Sequence, residues 1–309
     1  MLTAENIHFS FETKPQLING IDFSIKSGEI ISIVGASGVG KSTLLKCLAG
    51  LLDITKGEII LDGETLVNPK QKLIAGNDDI GIVAQSFSEN PHFTVAENIN
   101  RKLLHLTNFD RESFTNELLE LFQLKSLSNI KSHLISGGEK QRLSMACALA
   151  QEPKVLLLDE PFAHLDVHLR KRVGRFIKKQ CNKYGLAVVL VTHEGSEALS
   201  WSDYICFMQK GRLLNKQTPE KAYYKPRSLK QGLYFGELNS FRKKGKQILF
   251  RPNEYDLKGK EADLIELEFN EAEFRGGYYA NYFKLVNGRE VVLYSSNIMR
   301  EIKRIYVKK

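Results

Sequence analysis

The sequence predicts an α/β protein with a mainly parallel sheet, followed by a small all-β domain. Segment 29–52, EIISIVGASGVGKSTLLKCLAGLL, passes from a β-branched apolar run through glycines to helically spaced leucines, which is typical of strand, loop and helix. The runs VLLLDE (155–160) and LAVVLVTH (186–193) are apolar without alternation, as are strands buried on both faces of a parallel sheet. Past about residue 235, short apolar runs are separated by Gly, Asn and charged residues, which favours antiparallel strands.

The remaining elements follow from local patterns. Residues 92–152 contain helical periodicity, for example FTNELLELFQLKSL, and we expect an all-helical insertion there. In the C-terminal part the expected strands are QILFRP, ADLIELEF, YYANYFKLV and EVVLYS, with a hairpin turn at VNGRE, 286–290. These patterns predict two domains, 1–235 and 236–309.

Composition narrows the class of protein. The chain has 309 residues, 42% of them hydrophobic and 26% charged, as soluble globular proteins do. It contains no apolar run of the ~18 residues that a membrane span needs, and its start lacks the apolar core of a signal peptide. The net charge of +8 is spread along the chain, which favours a solvated basic surface over a site for nucleic acid or anionic lipid. The four cysteines are scattered without CxxC spacing, and we expect reduced thiols in a cytoplasmic protein.

The segment GASGVGKS, 35–42, fits the phosphate-binding pattern GxxxxGK[ST]. Glycines let backbone N–H groups approach phosphate oxygens, and the helix that follows adds positive potential at its N-terminus. The lysine would neutralise the β- and γ-phosphates, and the serine hydroxyl suits Mg²⁺. The alternative is a glycine turn with an accidental lysine. The predicted nucleotide-binding residues of this loop are Gly35, Ser37, Gly38, Gly40, Lys41, Ser42 and Thr43.

Polar residues that follow buried strands supply the other groups such a site needs. Asp159 is expected in the magnesium shell with Ser42, and Glu160 is expected to polarise the attacking water. His193 follows a strand that ends at the same sheet edge, where open α/β folds bind ligands, and we expect it to contact the γ-phosphate. Gln85 can reach both magnesium and water. Taken singly, an acidic strand end or a lone histidine is more often structural.

Six motifs occur in one order: GASGVGKS, the glutamine of IVAQ, ISGGEKQR, VLLLDEP, HLD at 164–166 and VTH. Over residues 2–235 this set resembles the nucleotide-binding subunits of ATP-binding cassette (ABC) transporters. The resemblance implies a P-loop NTPase fold of ABC type, with a parallel-sheet core, an antiparallel β subdomain and a helical subdomain. It also implies ATP and Mg²⁺ as cofactors.

The resemblance gives roles to residues that the phosphate loop leaves unexplained. In that family the segment ISGGEKQR, called the signature, contacts the nucleotide held by a second subunit packed head to tail. Ser136, Gly137 and Gly138 would therefore serve the ATP of another copy. Asp166 would couple the two sites. Phe11 would stack on adenine, and a plain core aromatic is the alternative.

Several stretches resemble ATPases of importers for sugars, polyamines, sulfate or ferric iron, notably SFSENPHFTVAENI and DEPFAHLD. The run ILFRPNEYDL resembles the opening strand of TOBE, a small OB-like domain that such importers carry. The resemblance implies membrane permease subunits as partners, an extracytoplasmic solute-binding protein indirectly, and a cytoplasmic location on the inner membrane face. The sequence departs from the family pattern at Ile135, at Cys147 and in HEGSEAL, 193–199.

Two other functions are compatible with a cassette. One is a non-transport ABC protein acting on ribosomes or DNA, but such chains usually carry two cassettes or a long coiled coil. The other is an exporter ATPase, for which a TOBE-like tail would be unusual. We therefore predict an ATP-hydrolysing importer subunit with no nucleic-acid partner.

Overall fold

The structure, a computed structural model, describes residues 1–12, 14–67, 69–71, 75–84, 89–163, 165–214, 216–243, 245–259 and 264–307. The chain divides into two compact units, Met1–Pro219 and Glu220–Lys309. The domain boundary expected near residue 235 stays a prediction.

The N-terminal unit combines strands and helices. Its strands are β1 (Leu2–Phe11), β2 (Lys14–Ile25), β3 (Ile30–Val34), β4 (Lys56–Leu61), β5 (Glu64–Thr65), β6 (Ile80–Val83), β7 (Val155–Asp159), β8 (Ala187–Val191), β9 (Tyr204–Gln209) and β10 (Arg212–Leu213). Its helices are α1 (Lys41–Leu48), α2 (Val95–Asn100), α3 (Asn108–Leu121), α4 (Gly137–Ala150), α5 (Val167–Tyr184) and α6 (Gly195–Trp201). Short 3₁₀ helices lie at Pro69–Gln71, Arg101–Leu103, Lys125–Leu127 and Ser132–Leu134.

The strands form two sheets. A six-stranded sheet has the order β10-β9-β3-β8-β7-β6, and all its pairings are parallel except that of edge strand β10. A four-stranded antiparallel sheet has the order β2-β1-β4-β5. The predicted parallel core and antiparallel subdomain are therefore both confirmed.

The parallel sheet is buried on both faces, which explains why its strands lack polar alternation. Along β7, Leu156 and Leu158 pack into a core with helices α2 to α5. Val155 and Leu157 face the opposite way, into a core with α1 and the antiparallel sheet. Successive side chains of a strand point to opposite faces, so every residue of this strand is buried.

The predicted insertion at 92–152 is helical and contains α2, α3 and α4. Each helix begins at a side-chain cap, at Thr94, Thr107 and Ser136 respectively. Such caps satisfy backbone N–H groups that have no partner within the helix. No helix in the described part of the chain is long and apolar enough to cross a membrane.

The C-terminal unit is dominated by short antiparallel strands. They are β11 (Asn239–Lys243), β12 (Lys246–Phe250), β13 (Tyr255–Asp256), β14 (Leu264–Glu266), β15 (Glu268–Phe274), β16 (Tyr279–Lys284), β17 (Glu290–Ser295) and β18 (Arg304–Val307), preceded by helices α7 (Pro219–Tyr224) and α8 (Leu229–Leu233). The sheet orders are β11-β12, β13-β18-β14 and β15-β16-β17. The predicted hairpin turn joins β16 to β17, with Gly288 at φ 76°. The all-β tail is thus confirmed, and its OB-like assignment stays a prediction.

A buried arginine holds this unit together. Arg251, from the run QILFRP, is 0% exposed. Its guanidinium donates to the backbone carbonyls of Tyr223, Gly232, Gly236 and Glu237 at 2.8–3.1 Å and stacks 4.0 Å from the Tyr223 ring centroid. Burial lowers the pKa of Arg251. These carbonyls replace the hydration of the cation, which a buried charge requires.

Candidate active site

Three neighbouring strands of the parallel sheet end at one edge and bring the predicted residues together. Strand β8 lies between β3 and β7, and Val191 at its end pairs with Ile33 and Asp159. The chain continues from these ends into the phosphate loop, His193 and Glu160. The arrangement is the one expected for a ligand site at the carboxyl edge of an open parallel sheet.

The phosphate loop lies between β3 and α1, and its glycines are required by the fold. A Cβ on Gly35 would lie 2.4 Å from the carbonyl oxygen of Met208. Gly40 occupies the position before α1 at φ 107°, and no side chain caps the helix there. Uncapped N–H groups at a helix start attract anions. The other predicted residues of this loop and helix turn are Ser37 and Gly38, which are exposed, and Ser42 and Thr43, which are half-buried.

The lysine of this loop folds back onto it. The Lys41 Nζ donates to the carbonyl oxygens of Gly35 at 2.9 Å and Ala36 at 3.0 Å. Burial lowers the pKa of Lys41, and the carboxylates of Glu160 and Asp159 oppose that shift. The ammonium group therefore lies between the loop carbonyls and two acidic residues.

Asp159 and Ser42 provide oxygen atoms suited to a hard cation. Asp159 is 5% exposed, and its Oδ1 has no hydrogen-bond partner within the described ranges. Burial raises the pKa of this carboxyl, whereas a hydrogen bond from Ser42 lowers it. A buried carboxylate with an unpaired oxygen beside a hydroxyl fits Mg²⁺, which prefers oxygen ligands.

Glu160 and His193 are in direct contact. The Nδ1 of His193 lies 3.1 Å from Oε1 of Glu160. The Glu160 backbone has φ 51°, and its N–H donates to the carbonyl oxygen of Val191 at 2.9 Å. A non-glycine residue in this left-handed region costs about 1–3 kcal/mol and persists only where its surroundings hold it.

The signature loop differs from the phosphate loop in its local bonding. Ser136 caps α4 by accepting from the Glu139 N–H at 3.4 Å, and the Glu139 carboxylate accepts from the Ser136 N–H at 2.7 Å and its hydroxyl at 2.8 Å. These bonds lower the pKa of Glu139. A Cβ on Gly137 would meet no atom within 4 Å, so the chain's own packing does not require glycine there. Gly138 follows in the same helical turn.

The remaining predicted residues lie at separate places. Phe11, at the end of β1, is 43% exposed, so it is not a core aromatic. Its ring makes an edge-to-face contact with that of Phe9, with 4.7 Å between the ring centroids. Asp166 caps α5 by accepting from two N–H groups of its first turn at 2.8 and 2.9 Å. Gln85 and His164 lie outside the described residues.

Comparisons with known proteins place the chain in a family. The ABC transporter family model matches residues 18–163. The Fe(3+) ions import ATP-binding protein FbpC of Pasteurella multocida (strain Pm70) is 34% identical over 259 residues, which are 83% of this chain and 73% of that protein. The chain belongs to the ABC transporter family.

Other relatives and solved structures agree. The spermidine/putrescine import ATP-binding protein PotA of Haemophilus influenzae (strain ATCC 51907 / DSM 11121 / KW20 / Rd) is 36% identical over 228 residues, and the match spans 73% of this chain and 60% of that protein. The ATP-binding cassette MJ0796, in a dimeric structure of a post-hydrolysis state bound to ADP and Pi, is 29% identical with a TM-score of 0.64, covering 71% of this chain and 99% of that one. The predicted ATPase of ABC importer type is thereby confirmed.

Sequence reasoning missed one residue of this ABC ATPase, although it lies inside the quoted signature. Gln141 is 8% exposed, and its Nε2 donates to the carbonyl oxygens of Glu160 at 3.0 Å and Pro161 at 3.3 Å. The sequence gives no signal of this burial, because Gln141 stands in the polar run EKQR, 139–142. Its partners are nineteen and twenty residues away in sequence, and no local pattern points to them.

A second missed residue is Arg170 of α5. Its guanidinium lies 3.3 Å from Glu194 and 3.4 Å from Glu197. It also donates to the backbone carbonyl oxygens of Phe162 and Leu165 at 3.4 Å. The buried Glu197 accepts from the Thr192 hydroxyl at 2.6 Å. The run HEGSEAL, noted only as a departure from the family pattern, supplies both carboxylates. This network fixes the backbone on either side of His193.

Proposed function

We propose that two copies of this importer ATPase enclose ATP head to tail, and that hydrolysis drives membrane permease subunits that import a small solute. The observation that supports the proposed dimer is Gly137 of the signature, because the packing of its own chain does not require glycine there. Gly35 and Gly40 are required by their own surroundings, whereas Gly137 faces open space. Close approach of a phosphate from outside the chain would account for a glycine at the start of a helix, where the helix dipole favours an anion.

The phosphate loop supplies the binding half of the proposed site. Lys41 would exchange its two carbonyl partners for the β- and γ-phosphate oxygens, since charge-assisted bonds are the stronger ones. Backbone N–H groups at the start of α1 would hold the same phosphates. Phe11, whose ring is exposed, would cover the adenine.

The other half performs the chemistry. Asp159 and Ser42, with Gln85, would hold Mg²⁺, which neutralises phosphate charge when bound. The Glu160 carboxylate would polarise the attacking water and receive its proton. His193, held 3.1 Å from Glu160, would donate to the γ-phosphate and keep the carboxylate oriented. The groups that stabilise charge come from both copies, because Ser136, Gly137 and Gly138 of one would meet the ATP of the other.

Partners and cargo follow from the relatives. FbpC is named for Fe(3+) ions and PotA for spermidine and putrescine, so we propose an inorganic ion or a polyamine as the cargo, with a sugar as a further class. Permease subunits and an extracytoplasmic solute-binding protein would complete the importer. The chain would then lie at the cytoplasmic face of the membrane, and residues 236–309 would form the TOBE-like domain.

The decisive test is Glu160→Gln. We expect the variant to bind ATP normally, to hydrolyse it at least ~100-fold more slowly, as for loss of a catalytic base, and to accumulate an ATP-bound dimer in light scattering. Glu64→Gln, at an exposed glutamate, serves as the control with unchanged turnover. Undiminished hydrolysis would remove Glu160 from its role, and a monomer at saturating ATP would contradict the shared site.

The transport assignment has its own test. Membrane permease subunits should co-purify with the tagged chain from the membranes of its own cells. Co-purification of ribosomes or DNA in their place would support the non-transport reading.

A further inference from the structure

The two peptide groups that flank the catalytic glutamate are held by different elements. The N–H of Glu160 donates to the carbonyl of Val191, at the end of β8. The carbonyl of Glu160 accepts from the Gln141 amide at 3.0 Å, and the same amide also reaches Pro161 at 3.3 Å. The left-handed backbone of Glu160 is therefore clamped from the histidine strand on one side and from α4 on the other.

Helix α4 begins at the signature. Ser136 caps its first turn, and Gln141 lies on the second turn, about 7.5 Å further along the axis at 1.5 Å per residue. From Leu143 to Ala150 every residue of the helix is buried. The partly exposed first turn is continuous with this buried part, and the Lys140 N–H donates to the Ser136 carbonyl oxygen at 2.9 Å. A displacement at the start of the helix is therefore carried along its backbone to Gln141.

We propose that Gln141 is a positioning residue for Glu160 of its own chain. Through it, the signature that meets the partner's ATP also sets the geometry of hydrolysis in its own site. This inference rests on the proposed head-to-tail dimer. Each chain then has a signature that contacts the ATP of its neighbour and, on the same helix, an amide that positions its own Glu160. The position of Glu160 thereby depends on whether the neighbour holds ATP.

The chemistry of the amide is specific. The amide N–H₂ group donates to both carbonyl oxygens, whereas a carboxylate of the same length would place oxygen against oxygen. Methionine has a similar length and is unbranched, so Gln141→Met keeps the packing and removes the two bonds. The backbone that carries the Glu160 side chain would then no longer be held by α4, and its carboxylate could shift. A misplacement of about 1 Å costs up to about 100-fold in rate.

Mixed dimers separate the two ways in which Gln141 can act. The first dimer pairs a chain carrying Gln141→Met with a chain carrying Glu160→Gln. The second pairs a chain carrying both substitutions with an unchanged chain. Both contain the same substitutions, so a general loss of stability affects them equally. In the first dimer the intact Glu160 shares its chain with the altered position 141, and in the second it does not.

We expect single-turnover release of the γ-phosphate to be about tenfold slower in the first dimer than in the second, with unchanged affinity for ATP. The second dimer should match a reference dimer of an unchanged chain with Glu160→Gln. Gln151→Met, on the residue that ends the same helix, replaces Gln141→Met in a control pair that should also match the reference.

Two results overturn the inference. Equal rates in the two dimers would show that Gln141 does not act on its own Glu160, and a slower second dimer would show that it acts through the signature on the partner's ATP. Failure of Glu160→Gln alone to form any ATP-dependent dimer removes the proposed function itself, and with it the basis of the inference.

Discussion

Two loops of this chain are similar in sequence but differ in how their helices are capped and in the space around their glycines. The phosphate loop, 35–42, and the signature, 135–140, are both rich in Gly and Ser, and each leads into a helix. The first leaves its helix without a side-chain cap and uses glycine where a Cβ would collide. The second has a complete cap and a glycine with open space around it. The first loop is constrained by contacts within its own chain, whereas the atoms described around Gly137 leave room for a side chain.

The largest test of this difference is Gly35→Ala. A Cβ there would lie 2.4 Å from the Met208 carbonyl oxygen, and backbone cannot move aside as a flexible side chain can. We expect the free energy of unfolding to fall by about 1–3 kcal/mol, as in other overpacked sites, together with loss of ATP binding. Denaturant titration and nucleotide titration measure the two effects. Full stability would show that the loop has room for a side chain.

The matched change in the other loop is Gly137→Ala. Alanine fits the open space and favours the helix, so we expect stability to rise by about 0.5 kcal/mol. ATP binding to the monomer should be unchanged. Turnover should fall by about tenfold, because the new methyl group keeps the partner's phosphate from the helix start. Normal turnover of Gly137→Ala would contradict the proposal that glycine is needed there for contact with the partner's phosphate.

The smallest effect concerns the cap of the signature, tested by Glu139→Gln. A neutral amide accepts weaker hydrogen bonds from Ser136 than a carboxylate does, and we expect a loss of about 0.5–1 kcal/mol at pH 7. Because the pKa of Glu139 is lowered in the folded protein, its contribution is present above the ordinary glutamate pKa of about 4.3 and is lost as pH falls through the lowered value. Thermal unfolding across acidic pH measures this. A stability difference that persists below both pKa values would contradict the assignment.

Local patterns were sufficient where function depends on neighbours in sequence. The spacing of Gly35, Gly40 and Lys41 is set by one loop and one helix turn, and the carboxylates of Asp159 and Glu160 follow one strand. Their meeting with His193 also followed from the sequence, because parallel strands end at a common edge. Phe11 illustrates the limit. Its exposure depends on how the sheet packs, and both an adenine platform and a core aromatic were compatible with the pattern HFSFETK.

Sequence by itself determined the fold class, the phosphate loop and the acidic strand end, since each rests on a pattern within continuous segments. The order of six motifs along the chain carried the resemblance to the family. Only the tertiary structure decided that Gln141 holds Glu160, that Arg170 braces the backbone beside His193, and that Arg251 is solvated by carbonyls. It also decided that a Cβ on Gly137 would meet no described atom within 4 Å. The physical reason is that these facts depend on hydrogen bonds and open space between distant segments, which packing creates and periodicity does not encode.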